Sequence, residues 1–155
     1  MSATFSTPPN RLAKMVGSKG VSRSSAIQQA QANLVSMRDE GVAYINLNLD
    51  GLNAAFLSPT DDQAKQVETL YEFSDSISGT ASLFGLADLG KAAYSLCQLL
   101  SYSDPEKGFN RAAVKAHLDG MQVLRKAADG GDVAEGKIIL RNLSQLVAHL
   151  APKRD

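Results

Sequence analysis

One stretch constrains the fold of this chain more than any other: Leu70–Leu100, LYEFSDSISGTASLFGLADLGKAAYSLCQLL. Val67, Leu70, Ser74, Ile77, Ala81 and Phe84 recur three and four residues apart, so they share one face of a helix. Phe84-Gly85 punctuates that pattern, and a second helical pattern follows at once, with Leu86, Leu89, Ala93, Leu96, Cys97 and Leu100 in phase. The stretch therefore predicts a long helix, a sharp break at Gly85 and a return helix. The outer flank of the first helix carries Glu68, Glu72, Asp75, Gly79 and Ser82, acidic and then small. A glycine inside a helix costs roughly 1 kcal/mol relative to alanine. Two causes would account for one at position 79: close packing by a neighbouring helix, or close approach by a partner.

The rest of the chain reads as helical too. Ala26, Ile27, Ala30, Leu34 and Met37 form a stripe over 22–39, with Ser24 or Ser25 as N-cap and Gly41 as the stop. Val42–Leu57 is ambiguous. It alternates like a strand from Tyr44 to Leu49, yet Val42, Ile45, Leu49, Leu52 and Phe56 also fit one helical face. Asn46, Asn48, Asp50, Gly51 and Asn53 weaken a helix there, so the expectation is a short helix or an irregular crossover. The same Asn/Asp run lacks the closing glutamate of a calcium loop. Thr60 to Gln63 resembles a capping box that opens the central helix, expected over about 61–84. Ala113, Val114, His117, Met121, Leu124 and Ala128 predict a helix over 110–128. Asp129-Gly130-Gly131-Asp132 is a loop, and Asp132 with Glu135 caps a last helix running from Val133 to about Leu150. Short connections favour antiparallel neighbours. The expected fold class is all-α: an antiparallel four-helix bundle with an extra N-terminal helical segment. The expected organisation is a mobile tail over 1–21 and a single domain over 22–152.

Composition narrows the function classes. Of 155 residues, sixteen are basic and sixteen acidic, so no global field selects nucleic acid or an anionic membrane. No apolar run is long enough to span a bilayer, and the N-terminus lacks the apolar segment of a signal peptide, so a cytoplasmic location is expected. The single cysteine, Cys97, excludes an internal disulfide and reads as a small core residue. Four basic residues, Arg11, Lys14, Lys19 and Arg23, form an N-terminal arm that reads as solvated, or else as a docking segment for an acidic partner.

The central stretch resembles histidine-phosphotransfer (HPt) domains of two-component signalling. That family carries a phospho-accepting histidine, an aliphatic residue two positions on, usually Lys-Gly-Ser-Ala, and then an apolar residue with glycine. The corresponding residues here are Asp75, Ile77, Ser78-Gly79-Thr80-Ala81 and Phe84-Gly85. Leu89, Leu96, Cys97 and Leu100 are similar to the family's next helix. Two departures matter: Asp75 stands in place of the histidine, and Ser78 in place of the usual lysine. The resemblance implies a strip of Glu68, Glu72, Asp75, Ser78, Gly79 and Ser82 that enters the active-site mouth of a receiver domain, with Gly79 admitting the partner. A carboxylate cannot form the family's phosphoramidate.

Candidate catalytic chemistry is sparse. His117 falls in the middle of an apolar stripe, which predicts burial, and His149 lies toward the edge of the last helix. No serine has a histidine at short helical spacing, no histidine pair is spaced for a metal, and no phosphate-binding glycine loop follows a strand. No metal or other cofactor is expected. The leading expectation is a pseudo-phosphotransfer protein that docks a response-regulator receiver domain or a sensor histidine kinase and modulates bacterial-type phosphorelay or chemotaxis signalling without carrying phosphate. One alternative is an active phosphotransferase using His117. Another is a helical adapter or dimerisation module, in which the Gly79 strip meets its own copy. The chain is expected as a monomer or weak homodimer, with no nucleic acid and no membrane among its partners.

Overall fold

The computed structural model describes residues 22–58, 60–104, 108–130 and 133–152. Among them the chain is all-helical. Five helices follow in order: α1 (Arg23–Leu57), α2 (Gln63–Thr80), α3 (Ala87–Ser101), α4 (Arg111–Ala127) and α5 (Val133–Leu150). A 3-10 turn, Ala81–Phe84, follows α2. No helix of the described residues is long and apolar enough to cross a membrane. The expected tail, with Arg11, Lys14 and Lys19, lies outside the described residues, as does Asp132 of the second capping box.

The chain divides into two compact units, Met1–Met37 and Arg38–Asp155. In the first, the described residues are helical from Arg23 and exposed throughout. Ser22 caps this end: its Oγ accepts from the Ser25 N–H at 3.2 Å. The cap thus sits two or three residues before the serines expected. The stripe of Ala26, Ile27, Ala30, Leu34 and Met37 is exposed too, although its spacing predicts a buried face.

In the second unit, α1 continues where a helix stop and a crossover are expected. Gly41 does not end the helix; it lies buried inside it, with the Phe84 ring filling the place of its missing Cβ. Gly51 admits the Phe73 ring in the same way, with a Cβ falling 2.6 Å from it. These glycines read as breakers because the residues that need the space are more than twenty positions away in sequence. The helical alternative for 42–57 is the one that forms, and it buries Ile45, Asn48, Leu49, Leu52 and Phe56. Asn48 and Asn53, poor helix formers, direct their amides to the carbonyls of Tyr44 and Leu49, four residues back. The last carbonyls of α1 have no partners within the helix. Gln66 Nε2 donates to Ala55 O at 2.8 Å and to Ser58 O at 3.3 Å, and Arg111 donates to Phe56 O at 2.8 Å. The Arg111 guanidinium also stacks 4.4 Å from the centre of the Phe56 ring.

The remaining helices follow the expected stripes closely. Asp62, rather than Thr60, caps α2: its carboxylate accepts from the Lys65 N–H at 2.9 Å, while Thr60 Oγ1 accepts from the Asp62 N–H. Helix α2 ends at Thr80 instead of running to Phe84, and the chain tightens into the 3-10 turn. It then reverses at Gly85, whose φ of +81° favours glycine. Asn110 caps α4 through the Ala113 N–H. Helix α3 packs against α2, α4 and α5. It buries Leu89, Ala92, Ala93, Leu96, Cys97, Leu99 and Leu100, and Val114, Leu118, Met121, Leu143 and Val147 complete the core around it.

Candidate docking surface

The stripe that anchors α2 sets which of its residues face outward. Leu70, Ser74 and Ile77 are buried, with Ser74 Oγ satisfied by Leu70 O at 2.7 Å. Residues half a turn away must then point outward. Glu68, Glu72, Asp75 and Gly79 are exposed along one strip of α2, Ser82 continues it in the 3-10 turn, and Ser78 is half-buried at its edge. All six strip residues expected from the sequence therefore lie on or beside one face.

Gly79 decides what the strip means. Its φ is not in the left-handed region, so no turn requires a glycine there. A Cβ built on it meets nothing within 4 Å. Of the two causes a helical glycine admits, close packing within the chain is thereby removed among the described residues. The contrast with Gly41 is direct: one glycine makes room for a ring of the same chain, the other for nothing among the described residues.

Two shallow grooves flank the strip. One is lined by Ser78, Ser82, Lys91, Tyr94, Ser95 and Gln98, with Leu83 exposed beside it on the turn. The other is lined by Lys65, Val67, Glu68, Tyr71, Glu72 and Leu100. The surface combines an acidic ridge with exposed Tyr71, Leu83 and Tyr94, a mixture suited to a modest protein–protein contact. Lys91 is engaged with Asp88 at 2.9 Å. Among the described residues, no three His, Cys, Asp or Glu side chains gather closely enough to hold a metal ion.

The histidines separate as their stripes predict. His149 is exposed. His117 is fully buried, and both of its nitrogens have partners. Nδ1 donates to Ala113 O at 2.9 Å, which leaves Nε2 to accept from Ser95 Oγ at 3.0 Å. Burial pushes the His117 pKa down, so the neutral ring is favoured. Sequence spacing misses the Ser95–His117 pair because the partners lie on different helices, 22 residues apart. Ser95 sits mid-helix, where backbone N–H groups are committed to the helix and none is free to stabilise an oxyanion. Cys97 is buried on α3, and desolvation, assisted by the nearby Asp75 carboxylate, pushes its pKa up to about 11.

Comparison of the chain with protein-family models, with curated proteins and with solved structures finds no match.

Proposed function

We propose that this chain is an HPt-like docking protein of two-component signalling. It binds a receiver domain, or the sensor kinase that serves one, through the α2 strip and carries no phosphoryl group itself. In this reading Gln63–Leu150 forms an antiparallel four-helix bundle, and α1 supplies the added N-terminal segment. The observation that carries the proposal is the uncovered Gly79, one turn beyond Asp75 on the exposed strip. The chain tolerates a poor helix former where none of its described residues needs the space, and a partner's close approach gives that glycine a role.

Asp75 occupies the place of the acceptor histidine and presents a carboxylate to solvent. Its charge suits a receiver whose acidic pocket holds a magnesium ion and opposes docking when the metal is absent, because like charges are costly once desolvated. His117 does not take over as acceptor: its ring is enclosed and hydrogen-bonded at both nitrogens. Regulation then works by occupancy, since a docked chain shields the receiver's phosphorylation pocket from other proteins.

Two experiments test this together. A panel of receiver domains is screened for capture by the full chain with and without magnesium, and each captured receiver is then supplied phosphorylated. The expected result is magnesium-favoured binding with no acid-labile phosphate appearing on the chain. Transfer abolished by His117→Gln would replace the proposal with an active phosphotransferase.

A further inference from the structure

Docking at the strip makes no use of the pair formed by Ser95 on α3 and His117 on α4. Its arrangement is that of a nucleophile and its base, with the base held by a third group. The His117 Nδ1–H donates to Ala113 O at 2.9 Å, which fixes the tautomer and turns the Nε2 lone pair to the Ser95 hydroxyl, 3.0 Å away. Burial favours the neutral ring, the form that accepts a proton. His117 is sealed in the core, but Ser95 lines a groove of about 480 Å³. That volume falls within the range of small-molecule sites, about 300–1,000 Å³. Ser78 and Ser82 line the groove from α2 and the 3-10 turn, and Leu140 and Ser144 line it from α5.

We propose that Ser95 is an activated nucleophile that takes the acyl group of a small ester bound in this groove, with His117 as its general base. Lys91 stands four residues before Ser95 on α3 and Gln98 three residues after it, so all three share one face, and all three line the groove. These two side chains supply the hydrogen-bond donors that the helical backbone does not. Lys91 meets Asp88 at 2.9 Å, but the pair is exposed and weak, so turning the ammonium to a developing oxyanion costs little. In the first step Ser95 Oγ bonds to the carbonyl carbon, its proton passes to His117 Nε2, and the carbonyl electron pair moves to oxygen. That pair returns as the bond to the alcohol oxygen breaks, and the departing alcohol takes the proton from Nε2. Water then attacks the acyl-serine by the same route, releasing the acid and restoring the Ser95 hydroxyl. Leu140 and the Tyr94 ring suit a short apolar acyl chain.

A fluorophosphonate probe tests this on the full chain, because an activated serine displaces its fluoride. The expected result is labelling of Ser95, located by peptide mass spectrometry. The rate should fall about hundredfold or more in His117→Gln and in wild type unfolded by urea, the contribution of a general base. Lys91 is exposed, so Lys91→Met should keep the wild-type melting temperature and yet slow labelling about tenfold or more. His149 is also exposed, and His149→Gln should label at the wild-type rate. Hydrolysis of p-nitrophenyl acetate should rank the four proteins in the same order. A folded wild type that stays unlabelled at Ser95 overturns the inference, as does labelling of a folded His117→Gln at the wild-type rate. Should that variant not fold, an unchanged rate in Lys91→Met overturns it instead.

Discussion

Replacing Gly79 by alanine should make the protein more stable and less able to bind. Glycine in a helix interior is less favourable than alanine by about 0.5–1 kcal/mol, partly because it leaves the unfolded chain more freedom. The added Cβ meets nothing within 4 Å, and the backbone has no positive φ to oppose it. The full propensity difference should therefore appear as stability, raising the melting temperature by about 1–4 °C for a chain of this size. Gly41→Ala is the matched control. It gains the same propensity, but its Cβ would enter the Phe84 ring. Overpacking of that kind costs about 1–3 kcal/mol, which exceeds the gain. One substitution, made twice in helices of one protein, should thus change stability in opposite directions. Urea unfolding followed by far-UV circular dichroism, with thermal melts alongside, reads both. A Gly79→Ala variant less stable than wild type would mean that the chain itself packs on that position, and the case for a partner there would lose its basis.

Three further outcomes follow from buried groups. Burial depresses the His117 pKa below that of the unfolded chain. As pH falls through about 6.5 the unfolded state therefore takes up the proton first, and stability declines by no more than about 1.4 kcal/mol per pH unit from this group; urea titrations at stepped pH should show the slope, and His117→Gln should flatten it. His117→Ala removes a core side chain and leaves Ser95 Oγ without its partner, so it should cost about 3 kcal/mol in chemical denaturation. With its pKa raised to about 11, Cys97 should resist iodoacetamide in the native state at neutral pH and react only through the unfolded fraction.

Sequence periodicity was a good guide wherever a stripe is read by the chain's own core. The faces of α2, α3 and α4 carry buried Leu70, Ile77, Leu96, Val114 and Met121 where spacing places them, and the exposed strip follows as their complement. It misled where the meaning of a residue depends on a distant neighbour. Gly41 and Gly51 look like helix stops until Phe84 and Phe73 are seen against them. Ile27 and Leu34 have the spacing of a core stripe, yet both are exposed. Caps moved by two or three residues because several Ser, Thr and Asp side chains compete at each helix start, and Asp62 prevails over Thr60 by reaching the Lys65 N–H. The Ser95–His117 hydrogen bond had no local signal at all.

The most direct test of the central claim is a binding isotherm for a captured receiver domain, in magnesium, against wild type and Gly79→Arg. Arginine is a good helix former, so the variant should fold at least as well as wild type. Its affinity should drop by about tenfold or more, near 1.4 kcal/mol. Equal affinity for the two proteins would contradict this, because a bulky side chain on the strip would then stand in no partner's way.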